Sequence, residues 1–231
     1  MVAAAPLNTL PHSPTMTVSA FPTGSVTIIQ QQFYKAELPD IILEDLDLAS
    51  LTPLSIADLL ATLSSGTKLG VAASYGPKCI LEALAFSTES RVLLITMNAT
   101  SRLAKPQKRM LREMLLCHVS LEKHGFFMER LAAGLYLDLG LRICHAFDIV
   151  SDGDRRGSMA AYKALLARAR GEYLLDESVV ESIFVEQPFI QSRAPEFALR
   201  AWASYVAVQA FYDKPCAIDT MVKNHGVCPI Y

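Results

Sequence analysis

The chain has 231 residues, of which 52% are hydrophobic and 19% are charged, and its formal net charge is −2. This length and apolar content predict one α/β domain with a tail, or one large domain. The near-neutral charge excludes a global basic field, so any contact with nucleic acid would need a local basic patch.

The sequence predicts neither a disulfide framework nor a membrane segment. The five cysteines are Cys79, Cys117, Cys144, Cys216 and Cys228. Their number is odd, and no two of them form a Cys-x-x-Cys pair. We therefore expect reduced thiols rather than disulfides or zinc ligands. No apolar run reaches the roughly 18 residues of a membrane span, and the basic region of a signal peptide is missing. A nuclear or cytoplasmic location is expected.

Residues 1–40 are predicted to be a flexible N-terminal arm. The first 24 residues are rich in Pro, Thr, Ser and Ala and show no period, which is typical of unfolded segments. The segment Ser25–Ile29 is left open as an isolated strand or a docking segment. Organised sequence begins near Ile41, and the leucines of residues 54–64 have the spacing of a helix.

Three short apolar runs follow, at 68–74, 79–86 and 91–97, and tight turns between them predict an antiparallel meander. The elements expected after the meander are a helix at 106–117, a strand near 117–120 or slightly later, a helix at 127–139, a strand at 141–144, a crossover beginning at 146–150, and helices at 158–169, 176–185 and 194–213. Residues 214–231 are expected to be a C-terminal tail. This order predicts an α/β fold with a mixed sheet that helices cover on both faces.

Several local phrases fall at matching places in this order. They are LEALA at 81–85, VLLIT at 92–96, GFFMERL at 125–131, FDI at 147–149 and AWASYVAVQAFY at 201–212. With these phrases, residues 41–213 resemble the ribonuclease D-like, DEDD-type 3′–5′ exonuclease domain. The resemblance implies a ribonuclease H-like mixed β-sheet flanked by helices on both faces.

The resemblance also implies where the catalytic metal ligands should lie. Enzymes of this type hold two divalent cations with four carboxylates, because hard cations prefer charged oxygen ligands. The matching positions here are Ala72 and Ser74, then Leu131, and finally Ala203, or Ser204 if the register shifts by one. We therefore expect a degenerate site without catalytic residues, metal or cofactor.

Other acids leave an alternative open. Glu82, Glu129 and Asp148 lie near the matching motifs and could rebuild a metal site, which would make the chain an active exonuclease with non-standard ligands. The segment SDGDRR at 151–156 is more typical of a solvated turn than of a calcium loop, because the later ligands of such a loop are missing.

Two sets of side chains are candidates for contact with nucleic acid. A basic stripe on one predicted helix and just before it comprises Arg102, Lys105, Lys108, Arg109 and Arg112, which could bind phosphates or form an ordinary solvated face. Trp202, Tyr205, Gln209 and Tyr212 share one face of the last helix, where core packing is favoured over base stacking. The histidines His118, His124 and His145 are expected to be structural or on the surface.

These observations predict a non-enzymatic adaptor in RNA metabolism. A protein partner is expected, RNA is a second candidate, a homodimer stays open, and no membrane contact is expected. The alternatives are the active exonuclease with non-standard ligands and a purely structural subunit of a complex.

Overall fold

The computed structural model describes residues 24–30, 40–63, 67–97, 105–149, 165, 176–184, 188–210 and 216–217. Within these residues one sheet holds eight strands, in the spatial order β1-β2-β5-β4-β3-β6-β7-β8. The strands are β1 (Ser25–Ile29), β2 (Ile41–Asp47), β3 (Lys68–Tyr75), β4 (Leu81–Ser87), β5 (Arg91–Thr96), β6 (Glu122–Gly125), β7 (Ala146–Asp148) and β8 (Cys216–Ala217).

The helices of the described residues lie on both faces of this sheet. They are α1 (Pro53–Leu60), α2 (Lys105–Leu111), α3 (Met128–Leu139), α4 (Glu177–Phe184) and α5 (Ala194–Ala210). A π-helical turn, Arg112–Leu116, continues α2, and 3₁₀ turns lie at Leu48–Ser50, Pro77–Cys79 and Gln191–Arg193. Helices α1, α2 and α3 pack on one face of the sheet, and α4 and α5 pack on the other.

The central strands have a ribonuclease H-like arrangement, as predicted. Strand β4 is antiparallel to both β3 and β5, which gives the expected meander. Strand β6 is parallel to β3, and β7 is parallel to β6. Parallel neighbours need crossover connections, and α2 and α3 lie in these two connections. The two-sided helical cover and the mixed strand directions confirm the α/β fold class.

Both ends of the sheet extend beyond the predicted domain. Strand β1 is not isolated, because it pairs antiparallel with β2, which in turn runs parallel to β5. The predicted arm of residues 1–40 is therefore wrong at Ser25–Ile29. Strand β8 lies within the predicted tail and pairs antiparallel with β7.

One strand begins later than the sequence pattern predicted. The strand expected near 117–120 or slightly later is β6 at Glu122–Gly125, whereas the strand expected at 141–144 is β7 at Ala146–Asp148. Residues 141–144 instead pack against the end of the π-helical turn, where the Cys144 N–H donates to the Leu116 carbonyl at 2.9 Å. The helix predicted at 158–169 lies outside the described residues apart from Leu165.

Helix boundaries follow local capping chemistry. The Thr52 hydroxyl accepts a hydrogen bond from the Ser55 N–H at 3.2 Å, and Pro53 begins α1, which is a favoured start for a helix. Helix α3 ends at Gly140 with φ of 65°, where the Leu141 N–H reaches the Leu135 carbonyl at 3.0 Å. None of the helices in the described residues has the length and apolar character that a membrane crossing requires.

Candidate functional site

A cavity of about 590 Å³ opens where β3 and β6 end. The C-terminal residues of β3, the first turn of α3, the end of α4 and one face of α5 surround it. Its lining residues are Val71, Ala72, Ala73, Ser74, Tyr75, Gly76, Pro77, Phe126, Phe127, Met128, Arg130, Leu131, Phe184, Pro188, Arg200 and Ser204. Ligands of open α/β sheets bind outside the carboxyl ends of the strands, so this cavity is the candidate site.

Helix α5 reaches the cavity because it crosses β3 at very short range. A Cβ placed on Gly70 would lie 2.1 Å from the Ala201 carbonyl oxygen and 2.5 Å from the Tyr205 backbone nitrogen. Only glycine permits this approach of two backbones. The contact brings Arg200 and Ser204 to the same cavity as the end of β3.

The structure brings three of the four predicted ligand positions together. Ala72, Ser74 and Leu131 line the cavity. Ala203, on α5, does not line the cavity and is fully buried in the hydrophobic core. The next residue, Ser204, lines the cavity instead, so the fourth position falls on the shifted register that the sequence left open.

The side chains at these positions do not fit a pair of divalent cations. They offer one methyl group, one isobutyl group and two hydroxyl groups, whereas magnesium-type sites use carboxylate oxygens. The Ser204 hydroxyl already donates to the Arg200 carbonyl at 3.0 Å. The described lining also includes Arg130 and Arg200, whose positive charges oppose a bound cation.

Asp148, one of the alternative acids, supports the first turn of α3. Its carboxylate accepts hydrogen bonds from the Phe127 N–H at 3.3 Å and from the Met128 N–H at 2.9 Å. These bonds satisfy orphan donors at the helix start. They also hold Phe127, whose φ of 60° lies in the left-handed region. Asp148 therefore positions the aromatic wall of the cavity.

Glu82, a second alternative acid, also lies next to the lining of the cavity. The β3–β4 register pairs Ser74 with Ala83 and Tyr75 with Leu81, which leaves Glu82 as the extra residue of a β-bulge. Bulges redirect a side chain from its expected face. The Glu82 carboxylate accepts from the Phe189 N–H at 3.2 Å and packs against Gly76 of the lining. Glu129, by contrast, is exposed to solvent.

Both arginines of the cavity lie outside the set of residues that the sequence predicted for the site. The guanidinium carbon of Arg130 lies 4.5 Å from the centre of the Tyr75 ring. The Arg200 Nε donates to the Ile183 carbonyl of α4. Helical spacing could have indicated Arg200, because it precedes Ser204 by one turn and must share its face.

The predicted basic stripe is partly engaged within the protein. The Lys108 Nζ donates to the Leu139 carbonyl at the end of α3, at 2.8 Å. Arg109 and Arg112 both donate hydrogen bonds to the Glu113 carboxylate, with nitrogen–oxygen distances of 3.0 Å. The bond from Arg109, and to a lesser extent that from Arg112, lowers the pKa of Glu113 below its usual value. Lys105 is exposed, and Arg102 lies outside the described residues.

The remaining aromatic and histidine candidates have structural surroundings. Trp202 and Tyr205 are buried, and the Trp202 Nε1 donates to the Glu89 carbonyl at 2.9 Å, which agrees with the favoured core packing. Tyr212 and the side chain of Gln209 lie outside the described residues. His124 is buried and stacks on Phe147 at 5.0 Å between ring centres.

Comparison with solved structures returns nuclease domains at low identity. The Aedes aegypti Nibbler EXO domain is 14% identical, with 79% of this chain and 88% of that chain covered and a TM-score of 0.48. The catalytic core of RRP6 from Trypanosoma brucei is 13% identical over 78% of this chain and 46% of that chain, with a TM-score of 0.43. The EXD2 exonuclease domain soaked in Mn is 18% identical over 80% and 96%, with a TM-score of 0.34.

No protein-family model matches the sequence, and no curated protein matches it. The ribonuclease H-like fold rests on the strand order and pairing described above.

Proposed function

We propose that this chain is a catalytically inactive 3′–5′ exonuclease-like domain that acts as an adaptor in RNA metabolism and binds a protein partner, RNA or both. The observation that supports the proposal is the set of side chains in one cavity. Ala72, Ser74, Leu131 and Ser204 converge where the resemblance implies carboxylates, and Arg130 and Arg200 line the same cavity. Such a lining favours an anion over a divalent cation.

A nuclease assay tests the loss of activity. The full chain is incubated at micromolar concentration with an end-labelled single-stranded oligonucleotide and Mg²⁺ or Mn²⁺, with and without EDTA. We expect no release of nucleotides under either condition. Metal-dependent release that EDTA removes would overturn the proposal.

Restoring carboxylates tests the geometry of the cavity. The triple variant Ala72→Asp, Ser74→Glu, Ser204→Asp places three acids on the lining, and we expect it to bind Mn²⁺ measurably in a calorimetric titration. The matched variant carries Ala203→Asp in place of Ser204→Asp. It should bind Mn²⁺ more weakly, since Ala203 lies in the core rather than on the lining. Equal Mn²⁺ binding by the two variants would contradict the assigned register.

A second candidate function is an active metal-dependent exonuclease with non-standard ligands. It draws on Glu82, whose bulge directs its carboxylate against Gly76 of the lining. In that case Glu82→Gln would abolish metal-dependent release, whereas Glu129→Gln, a matched change at an exposed glutamate, would not. Absence of release from the unmodified chain excludes this candidate before the variants are needed.

Salt dependence separates an RNA adaptor from a purely structural subunit. Phosphate contacts weaken steeply with salt, so filter binding of single-stranded RNA is measured at two salt concentrations. If the basic stripe binds RNA, the triple variant Lys108→Glu, Arg109→Glu, Arg112→Glu should abolish retention, and the exposed control Arg142→Glu should not. We favour a protein partner, with RNA second, and a nuclear or cytoplasmic location. A homodimer stays within the proposal and is tested by sedimentation.

A further inference from the structure

Strand β1 forms an edge of the sheet that carries none of the usual protection against pairing with another chain. Within the described residues its one neighbouring strand is β2, and their register contains no bulge. Residues 24–30 read GSVTIIQ, without charge or proline. Exposed edges are normally protected by charges, proline, bulges or very short strands. The opposite edge, β8, has two residues, whereas β1 has five, so β1 is the edge that can accept a further strand.

The pairing of β2 shows which backbone groups of β1 point away from the sheet. The Ile42 N–H donates to the Ser90 carbonyl on the β5 side of β2. Ile28 is the antiparallel partner of Ile42, and two such partners either exchange their backbone hydrogen bonds or both point away from each other. The N–H and C=O groups of Ile28 therefore point outwards. Because these directions alternate along a strand, the groups of Val26 point outwards as well.

The outward groups of β1 are complementary to those of a second copy of the same strand. In an antiparallel pair with a two-fold axis at Thr27, Val26 of each copy lies opposite Ile28 of the other. Each of these pairs can exchange both of its N–H···O=C bonds. A symmetric dimer requires a surface that is complementary to itself. The outward groups of β1 meet this requirement, which favours a second copy over a strand of unrelated sequence.

The side chains of this edge fit the same pairing. Val26 and Ile28 are 64% and 68% exposed, and Ile42, beside Ile28 on the same face, is 37% exposed. Pairing would place Val26 and Ile28 directly opposite each other, and β-branched cross-strand pairs stabilise a sheet. Glu44, opposite Val26 in β2, is paired with Arg91 at 2.7 Å. This face of the edge therefore brings no unpaired charge to the pairing.

We propose that β1 is a homodimer interface, in which two copies of the chain pair antiparallel about Thr27 and form one continuous sheet. The inference goes beyond the proposed function, which leaves the oligomeric state open, and it holds whether or not the cavity is catalytic. Each strand contributes five residues, fewer than the roughly 20–30 residues a side of a standard interface. Contacts of this size occur in weak complexes, so we expect a concentration-dependent dimer.

Sedimentation velocity of the full chain from low to high micromolar concentration tests the dimer. We expect the mass to rise from 25.3 kDa towards twice that value. The double variant Val26→Lys, Ile28→Lys places lysines directly opposite each other in the pairing, so it should keep the mass of one chain throughout. The matched control is Val119→Lys, Leu137→Lys, at apolar side chains that are 80% and 78% exposed, and it should still dimerise.

Urea unfolding establishes that both double variants are folded. A single-chain mass for the unmodified protein at every concentration would overturn the proposal and leave the edge to a strand of another protein. A dimer that persists in the folded Val26→Lys, Ile28→Lys variant would equally overturn it. The nuclease assay described above tests the proposed function separately.

Cysteine cross-linking tests the register. Thr27 would lie opposite its own copy in a pair without hydrogen bonds, with roughly 4.5 Å between Cα atoms, a distance that a disulfide spans. Thr27→Cys should therefore form a disulfide between two chains when oxidised glutathione takes up the two hydrogens. Ser25→Cys, exposed on the same face, would lie roughly 13 Å from its own copy along the strands.

We expect the Ser25→Cys variant to cross-link no more than the unmodified chain, which retains its native cysteines and gives the background. Non-reducing electrophoresis measures the fraction of cross-linked chains. Equal cross-linking of the two variants, or none above background from Thr27→Cys, would refute the register about Thr27.

Discussion

Replacement of Gly70 by alanine should disrupt the crossing of α5 over β3. The new Cβ would lie 2.1 Å from the Ala201 carbonyl oxygen and 2.5 Å from the Tyr205 nitrogen, whereas ordinary contacts begin at 3.4 Å. Both neighbours are backbone atoms, so no side-chain rotation relieves the overlap. The helix must move outwards by more than ~1 Å, and overpacking of this kind costs ~1–3 kcal/mol.

We expect Gly70→Ala to fall at the upper end of that range, which corresponds to a loss of roughly 6–12 °C in Tm for a chain of this size. Urea unfolding measures the free energy, and an unchanged slope shows that the comparison is valid. Gly140→Ala is the matched control. Nothing lies within 4 Å of its Cβ, and its φ of 65° predicts a smaller loss of about 1 kcal/mol from the left-handed backbone.

The helix that moves carries Arg200 and Ser204, so Gly70→Ala should also change the shape of the cavity, while Gly140→Ala should leave it unchanged. The reasoning is wrong if Gly70→Ala unfolds at the same urea concentration as the unmodified chain, or if Gly140→Ala proves the more harmful of the two.

Three further results are expected. Burial, partly offset by the Glu122 carboxylate, lowers the pKa of His124 from 6.5 to about 4. The free energy of unfolding should therefore fall as the pH drops from 6.5 to 4, by up to about 3 kcal/mol. Urea titrations at each pH measure this dependence, and His124→Gln should flatten it. Mild oxidation should join Cys117 and Cys144, whose sulfurs lie 3.3 Å apart; mass spectrometry should show the loss of two hydrogens, and Tm should rise, unless the pair stays reduced. Asp148→Ala should cost about 1–2 kcal/mol in urea unfolding because the start of α3 loses its acceptor; an unchanged midpoint would contradict that role.

The sequence predicted the central sheet well because its strands are continuous apolar runs with tight turns. The sequence predicts the position of strand β6 only loosely, because its residues, EKHG, are polar although Lys123 and His124 are buried. The Lys123 Nζ donates to the Leu121 carbonyl at 2.6 Å, a contact that no periodicity reveals. The sequence does not determine whether β1 pairs, because no local pattern links it to its partner, β2.

The site was predictable at β3 and α3 but ambiguous at α5. A shift of one residue rotates a helical position by 100°, and the residues AWASY are small or apolar at nearly every position. What determines the rotation is Gly70, since its contacts with Ala201 and Tyr205 orient α5 against β3 and bring Ser204 rather than Ala203 to the cavity. That information lies in the packing of two distant segments.

The composition of the lining bears on whether the cavity is a remnant or a working site. Ala72, Ser74 and Ser204 are small, and larger apolar side chains there would close the space and gain contacts. Instead the cavity stays open, and two helices carry arginines into it. The open volume is therefore consistent with the binding role proposed for this domain.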